Sequence, residues 1–203
     1  MLTKLRQKVQ RMLTAEARAA RRIGLTPNRI SALGIALAFL SGIAYAMWQN
    51  DPLCLLLATS LLLLSGFCDA LDGVVARLYQ EATPFGGFLD ALLDRYADAA
   101  VHVGIIIGGL CDVLWGSIAL AGSLLVSYSR ARAEAAGVKM ESIGLAERAE
   151  RIIIIAIASL IAFYYEPRAT VNAAIVLIAA LSNLTVLQRT LYAHGKLKKK
   201  ETS

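Results

Sequence analysis

The sequence is poor in cysteine and histidine, with three of the first and two of the second among 203 residues. Cys54, Cys68 and Cys111 form neither a CxxC pair nor an even-numbered set. This excludes a disulfide framework and predicts buried, reduced thiols. His102 stands alone in an apolar run and His194 lies in a basic segment. The chain therefore offers no Cys/His cluster of the kind that binds zinc.

The N-terminus lacks the apolar stretch of a secretory signal peptide, because its first 25 residues are largely polar and basic. We therefore expect no cleavable leader. The chain also lacks the composition of a water-soluble domain. It is 57% hydrophobic and 18% charged, its mean hydropathy is +0.58, and its apolar residues gather into runs. This pattern indicates a lipid environment.

A helix crosses the roughly 30 Å hydrocarbon core of a bilayer with about 20 mostly apolar residues. Six segments approach this length, and the fifth is expected to begin near Glu147. We predict an all-α, polytopic membrane protein with six transmembrane helices and an N-terminal interfacial amphipathic helix. The six segments are Arg29–Trp48, Leu53–Arg77, Pro84–Leu110, Val113–Glu134, Arg151–Tyr165 and Ala169–His194.

The predicted organisation has three parts. Residues 1–25 form a juxtamembrane amphipathic helix, residues 26–194 form the six-helix membrane domain, and residues 195–203 form a basic tail that we expect to be disordered. In the first part, apolar residues recur at helical spacing between basic ones. Such a helix can lie on an anionic membrane surface, or it can pack on the ends of the bundle. The recurring apolar residues are Leu2, Leu5, Val9, Leu13 and Ala17.

The distribution of lysine and arginine predicts the orientation. Of the 21 such residues, Arg168 alone falls on the side opposite the termini, and Arg95 lies within the third predicted helix. The bias of basic residues towards the cytoplasm then places both termini in the cytoplasm of a cell-membrane protein. The active site is expected on the same side.

Five acidic residues lie within the second and third predicted helices, where ionised groups are costly and usually functional, and four of them form two closely spaced pairs. Asp69 and Asp72 are three residues apart, and Asp90 and Asp94 are four apart, so each pair lies on one face of its helix. A short link joins the two helices, so we expect the four carboxylates to converge. Either some are protonated or divalent cations lie among them, and oxygen ligands favour Mg²⁺, Mn²⁺ or Ca²⁺.

These residues belong to a longer pattern, DxxDGxxAR, eight residues, then GxxxDxxxD, which runs from Asp69 to Asp94. It resembles the signature of the CDP-alcohol phosphatidyltransferases. The resemblance implies that Asp69, Asp72, Asp90 and Asp94 hold two divalent cations, Mg²⁺ or alternatively Mn²⁺, with Asp94 also the catalytic general base. Arg95 and Asp98 lie outside the signature, and we interpret them as supporting residues.

The same resemblance implies a set of residues that bind the CDP-lipid donor. Some lie in and after the first half of the signature, and others just before the first transmembrane segment. They are Gly73, Arg77, Thr83, Gly86, Thr26, Pro27, Asn28 and Arg29. Next to the acids, Gly73 and Gly86 are expected to leave room for a bulky anionic ligand, whereas Gly87 is expected to allow close helix packing.

Three further stretches resemble phosphatidylinositol-phosphate synthases and their archaetidylinositol-phosphate counterparts. They are SYSRARAEAAG from Ser127, ERAER from Glu147 and the pair Gln188-Arg189. The resemblance implies that Arg130, Arg151 and Arg189 bind the phosphate of inositol phosphate. Arginine 130 stands where many relatives have lysine, and alanine 149 replaces proline. The alternative interpretation is that these arginines mark only the cytoplasmic face.

Several alternatives follow for substrates and function. The donor is CDP-archaeol or CDP-diacylglycerol, and the run GLAERAERIIII is similar to the archaeal branch. The acceptor can instead be glycerol 3-phosphate or serine. A cation transporter is a distant alternative, disfavoured by the absence of repeats or paired interrupted helices, and a structural scaffold gives no reason to keep four buried acids. We expect a homodimer in contact with membrane lipids and no nucleic-acid partner.

Overall fold

In the computed structural model, which describes residues 13–140 and 143–201, the described chain is all-helical. It forms two compact units, Met1–Gly104 and Ile105–Ser203. The helices of the described chain are α1 (Thr14–Arg22), α2 (Pro27–Ala46), α3 (Leu53–Leu78), α4 (Pro84–Ile107), α5 (Val113–Ala135), α6 (Arg148–Ala162) and α7 (Pro167–Glu201).

Each of the six predicted segments is a helix, and α6 begins at Arg148, next to the start that we predicted. Three helices of the described chain are long and apolar enough to cross a membrane, namely α2, α3 and α7 up to Lys199. Helix α4 carries four charged residues between Asp90 and Asp98. Helix α6 has 15 residues, which extend only about 22 Å. Three of the six predicted spans are therefore candidates by length and apolar composition, and the arrangement of six spans remains a prediction.

In the first unit, small residues bring helix backbones into direct contact. A Cβ atom at Gly104 of α4 would lie 2.1 Å from the carbonyl oxygen of Gly42 in α2, and one at Gly42 would lie 2.4 Å from that of Ala100. Helix α2 also packs along α3. Close approach of this kind is typical of helices in membranes, where small residues replace large apolar ones at the contact. Helices α2 and α4 thereby approach each other closely at Gly42, Ala100 and Gly104, and α3 packs on α2.

Helix α1 packs on α3 rather than presenting its apolar face to lipid. Leu13, Ala17 and Ala20 are buried in one cluster with residues of the second half of α3, including Val74 and Val75. The opposite face of α1 is exposed. This supports the alternative in which the amphipathic helix packs on the bundle. The apolar positions at residues 2, 5 and 9 lie outside the described residues.

In the second unit, α5 and α6 both pack against α7. Helix α7 continues to Glu201, so the prediction that the tail from residue 195 is disordered was wrong for residues 195–201. The cause lies in two apolar residues, Ala193 and Leu197, which pack on Ala133 near the end of α5 and on Val138 and Met140 after it. This apolar contact holds the last turns of α7 in helical form.

The connection between α4 and α5 is tied to the start of α7. The Asp112 backbone N–H donates to Asn172 Oδ1 (2.9 Å), and Arg168 Nη2 donates to Asp112 Oδ1 (3.1 Å). All three cysteines are free, with Cys68 and Cys111 buried as expected and Cys54 half-buried. Burial, with the charge of Asp112, raises the pKa of the Cys111 thiol to about 11. This thiol is therefore protonated at neutral pH.

Candidate active site

Three of the four predicted acidic residues meet in the first unit. Asp69 and Asp72 lie one turn apart on α3, and Asp90 lies near the start of α4. One carboxylate oxygen from each lies within 4.8 Å of the other two. Asp72 is 5% exposed, and the other two are half-buried. The convergence of α3 and α4 acids, predicted from the spacing, is confirmed for these three residues.

Asp94 lies one turn further along α4 and is not part of this group of three. Its Oδ2 atom is 3.7 Å from Arg95 Nη1, and its side chain is 19% exposed. Arg95 also donates to the carbonyl oxygen of Ala91. This contact agrees with a supporting role for Arg95. Asp94 lies on the same helix as Asp90, but it is not one of the three grouped carboxylates.

The group of three has the chemistry of a site for a hard divalent cation. Two unit charges about 5 Å apart repel each other by about 3 kcal/mol at an effective dielectric constant of about 20. Asp72 is nearly excluded from water, so solvent screens its charge poorly. Three carboxylates and no nitrogen or sulfur ligand match Mg²⁺, Mn²⁺ or Ca²⁺. The residues therefore fit the cation that the sequence pattern implies.

Ser31, a residue that sequence reasoning missed, contacts the group from α2. Its Oγ atom lies 2.5 Å from Asp72 Oδ2 and donates to it, and it lies 3.1 Å from the Pro27 carbonyl oxygen. This hydrogen bond orients the most buried of the three carboxylates. The sequence carries no signal for it, because the two residues are 41 positions apart.

Two pairs among the predicted donor-binding residues are in contact. The Arg77 guanidinium lies over Gly73, where a Cβ atom would be 3.3 Å from Nη2. Thr83 precedes α4, and its Oγ1 atom accepts a hydrogen bond from the Gly86 backbone N–H at 3.0 Å. The space beside Gly73 is thus bordered by Arg77, and the space beside Gly86 is bordered by Thr83. A Cβ atom at Gly87 would meet nothing within 4 Å, so the expected close packing there is not seen within the described chain.

The remaining predicted donor-binding residues form the start of α2. Thr26 precedes the helix in an extended conformation, and Pro27 occupies its first position, where the missing N–H costs nothing. Asn28 is exposed. Arg29 Nη1 donates to the Gly24 carbonyl oxygen at 3.2 Å. Because Ser31 lies on the same helix one turn after Pro27, this segment begins close to Asp72.

In the second unit, Arg189 is buried deeply and held by backbone groups. It is 2% exposed. Its Nε donates to the Ile143 carbonyl oxygen (2.8 Å) and its Nη1 to that of Val126 (2.5 Å). Nη2 lies 3.9 Å from Glu147 Oε1. The two carbonyl oxygens carry no net charge, so the guanidinium of Arg189 has both neutral hydrogen-bond acceptors and a carboxylate, that of Glu147, around it.

The other two predicted acceptor residues differ in burial. Arg151 on α6 is 2% exposed, and its Nη1 donates to the Ala146 carbonyl oxygen at 3.0 Å. Arg130 on α5 is exposed, and its Nε donates to Glu134 Oε1 at 2.9 Å. The charges of Arg130 and Arg151 both act on Arg189. The three arginines, contributed by α5, α6 and α7, therefore form one group, which we call the arginine group.

Thr185, which the sequence did not single out, and Gly144, which the sequence places in a turn, hold the loop beside this group. Thr185 Oγ1 accepts from the backbone N–H groups of Leu145 (3.0 Å) and Ala146 (3.2 Å). Gly144 has φ +134°, and a Cβ atom there would lie 2.5 Å from Thr185 Cγ2. The loop that supplies the carbonyls for Arg151 and Arg189 is thus anchored on α7.

Residues 24–187 match the sequence model of the CDP-alcohol phosphatidyltransferase family. This range includes every acidic residue described above and ends two residues before Arg189. An archaetidylinositol phosphate synthase of Methanothermobacter thermautotrophicus is 41% identical over 198 residues, which cover 98% of this chain and 96% of that protein. One from Pyrococcus horikoshii is 41% identical over 199 residues, which cover 97% and 98%.

Solved structures agree with these sequence comparisons. The crystal structure of phosphatidylinositol phosphate synthase from Mycobacterium tuberculosis with CDP-DAG bound has a TM-score of 0.76 and 30% identity, and the match covers 90% of this chain and 94% of that one. The same enzyme in complex with manganese and citrate has a TM-score of 0.76 and 29% identity, covering 89% and 88%.

Proposed function

Because the chain belongs to the CDP-alcohol phosphatidyltransferase family, we propose that it transfers a phosphatidyl-type group from a CDP-linked lipid to inositol phosphate and releases CMP. The observation that carries this proposal is the group of three carboxylates, contributed by two helices, whose oxygens lie within 4.8 Å of one another. Such a group suits a cation-bound diphosphate.

The proposed cofactor is a pair of divalent cations. Asp69, Asp72 and Asp90 would hold the first, and Asp94, one turn beyond Asp90, would contribute to the second. Mg²⁺ is our first choice and Mn²⁺ the alternative, and the related mycobacterial enzyme was crystallised with manganese. When bound, the cations supply positive charge that stabilises the donor diphosphate and the departing phosphate of CMP.

The chain's own residues then perform a single displacement. The acceptor hydroxyl oxygen forms a bond to the phosphorus next to the lipid, and the bond from that phosphorus to the oxygen of CMP breaks. Asp94 accepts the hydroxyl proton, a role for which a half-buried carboxylate is suited. Gly73, Arg77, Thr83, Gly86 and the segment from Thr26 to Arg29 bind the cytidine diphosphate part of the donor.

The arginine group supports a phosphorylated acceptor. Two of its members, Arg151 and Arg189, are almost fully buried, and each donates to a backbone carbonyl oxygen. Guanidinium groups bind phosphate oxygens through paired, charge-assisted hydrogen bonds. The relatives that are 41% identical are named archaetidylinositol phosphate synthases. We therefore propose an archaetidyl group as the one transferred, with CDP-archaeol as donor ahead of CDP-diacylglycerol.

The protein is an integral membrane protein, as its apolar helices and its family indicate. We propose that six helices, α2 to α7, span the cell membrane. The reason is that they match the six predicted apolar segments one by one along the chain. We also propose that both termini and the active site face the cytoplasm, in accord with the positions of the basic residues, and that the enzyme is a homodimer.

The experiment that tests the function measures CMP release by the purified protein in detergent with Mg²⁺ and CDP-archaeol or CDP-diacylglycerol. Three acceptors are compared: inositol phosphate, glycerol 3-phosphate and serine. We expect inositol phosphate to give the highest kcat/KM, and we expect Asp94→Asn to abolish CMP release with every acceptor. Arg168→Lys, an exposed change on the opposite side, is the control and should retain activity.

Two results would contradict the proposal. A higher kcat/KM with glycerol 3-phosphate or serine would overturn the acceptor and leave the chemistry in place. Cation flux across vesicles without any nucleotide turnover would overturn the enzyme itself and favour a transporter.

A further inference from the structure

The turn between α3 and α4 is held by a residue of α1. Arg21 is paired with Glu81 through its Nη2 and Glu81 Oε1, and its Cζ lies 5.5 Å from the centroid of the Tyr79 ring. Arg21 thus contacts both sides of residue 80. The turn is short, and the proposed donor-binding residues Arg77 and Thr83 lie at its two ends. From this geometry we infer that Arg21 is a positioning residue for the CDP-lipid donor.

The turn needs such support because its backbone is strained. Gln80 has φ +56°, a left-handed conformation that is unfavourable for a residue with a side chain. The Glu81 N–H donates to the Ala76 carbonyl oxygen (2.9 Å), and the Gln80 backbone nitrogen lies 3.5 Å from the Arg77 carbonyl oxygen. This hydrogen-bond pair ends helices most readily when glycine occupies the left-handed position.

Elsewhere in the described chain, the same kind of ending does use glycine. Helices α1, α4 and α5 are followed by a glycine with positive φ, and the next N–H donates back into the helix. These glycines are Gly24 (φ +79°), Gly109 (φ +68°) and Gly137 (φ +73°). Gln80 therefore occupies the position without the usual conformational freedom, and the contacts that Arg21 makes on either side of it hold the turn in place.

The packing of α1 on α3 fixes the position from which the Arg21 side chain extends. Ala17 and Ala20, one turn and one residue before Arg21, are buried against α3, so the start of the arginine side chain is fixed. The ion pair itself is about one-third exposed on both sides, and such pairs contribute little to global stability. Loss of Arg21 should therefore leave the fold intact and affect the turn.

Charge adds a second consequence. Glu81 is a carboxylate in a turn that we propose to border an anionic diphosphate, and Arg21 neutralises it. Without Arg21 the unpaired carboxylate would repel the donor as well as release the turn. Removing Glu81 instead would release the turn without adding repulsion, so the arginine change should have the larger effect.

This inference rests on the proposed function, so its experiment measures donor binding directly. Binding of CDP-archaeol to the purified full chain in detergent with Mg²⁺, without acceptor, is compared for the wild type, Arg21→Gln, Glu81→Gln and the double variant. Arg22→Gln, a neighbouring exposed arginine on the same helix, is the matched control. Donor KM and kcat are then measured with acceptor present.

We expect Arg21→Gln to weaken donor binding about two- to fivefold, the effect of a partly exposed ion pair. Glu81→Gln should weaken it less, and the double variant should be no weaker than Arg21→Gln. Donor KM should follow binding while kcat at saturating donor stays within about twofold. A reversed pair, Arg21→Glu with Glu81→Arg, should recover most of the lost affinity.

Two results would overturn the inference. The first is that Arg21→Gln binds the donor as tightly as Arg22→Gln does. The second is that the losses of donor affinity in Arg21→Gln and Glu81→Gln add in the double variant. Failure of the proposed acceptor is a separate outcome, because donor binding is measured without it. If the wild type binds the donor and releases no CMP with inositol phosphate, the function falls while the role of Arg21 is still decided.

Discussion

The two units of the described chain gather opposite charges by different means. In the first, acidic side chains lie within 4.8 Å of each other, and the contact that orients the most buried one comes from the neutral hydroxyl of Ser31. In the second, buried arginines donate to backbone carbonyls of Val126, Ile143 and Ala146. Both groups thus include hydrogen bonds to neutral partners, and in the second group a carboxylate, that of Glu147, also lies 3.9 Å from Arg189.

The two groups differ in the kind of ligand that each one requires. Ionised carboxylates offer only acceptors, so the acidic residues stabilise one another only where one is protonated, and otherwise need a cation. Guanidinium groups carry five donors each, so an arginine can satisfy several buried carbonyls and still have donors for an anion. The first group is therefore incomplete without a ligand, whereas the second is a stable structure that can also bind one.

The largest effect is expected from breaking the acidic group. Asp72→Asn should lower kcat by about 10³-fold or more, because a cation can no longer be held there. The same change should raise the melting temperature of the protein without cations, because it removes repulsion between buried carboxylates. Thermal unfolding with and without Mn²⁺, and CMP release, check both results.

The control for this change is Asp112→Asn, which removes an exposed carboxylate of the second unit that pairs with Arg168. It should leave stabilisation by Mn²⁺ and turnover unchanged. Unaltered stabilisation by Mn²⁺ in Asp72→Asn would contradict the cation site.

An intermediate effect is expected in the arginine group. Arg189→Lys keeps the charge but cannot bridge Ile143 and Val126 while also reaching a phosphate. The KM for inositol phosphate should rise about 10- to 100-fold, the range for hydrogen bonds to charged groups, and the donor KM should stay within about twofold. Steady-state kinetics with each substrate varied in turn makes the measurement.

Arg168→Lys on the same helix serves as the matched change, since its guanidinium is largely exposed and pairs with Asp112. It should alter neither KM. If Arg189→Lys changed the KM for the donor and left the KM for the acceptor unaltered, the assignment of the acceptor to the arginine group would be wrong.

The smallest effect concerns the hydroxyl that orients Asp72. Ser31→Ala should weaken cation binding about tenfold, as the loss of a supporting hydrogen bond to a metal ligand typically does. Titration of Mn²⁺ followed by protein stability measures it. Ser60→Ala, which removes a hydroxyl bonded only within its own helix turn (Ser60 Oγ to the Leu56 carbonyl oxygen, 2.8 Å), should bind Mn²⁺ like the wild type.

The acidic group could be predicted because its geometry is local. Asp69 and Asp72 share a helix face by their spacing, and the short link from α3 to α4 brings Asp90 near them. The same logic placed Asp94 in the group, yet it lies a further turn along α4 beside Arg95. Spacing along a helix identifies the face on which a residue lies, but how far the neighbouring helix overlaps that face depends on packing.

The arginine group could not be found from spacing, since its members lie on three helices and their partners are backbone carbonyls. Only the resemblance to a known family indicated Arg130, Arg151 and Arg189 together. Gly144 is recognisable from the sequence as a turn residue, whereas Thr185 carried no signal, because its partners Leu145 and Ala146 lie 40 and 39 positions away in the chain. The helical end of α7 was missed because Ala193 and Leu197 pack on residues far away in the chain, at the end of α5 and just after it.

The sequence alone determined the class of fold, the helical segments and the face that holds the acids, because runs of apolar residues and helical periodicity act over short distances. Tertiary structure decided which side chains share a contact: Ser31 with Asp72, Arg21 with Glu81, Arg189 with two distant carbonyls. The physical reason is that hydrogen bonds and ion pairs depend on distances of a few ångströms between residues far apart in the chain, and only the packing of the helices sets those distances.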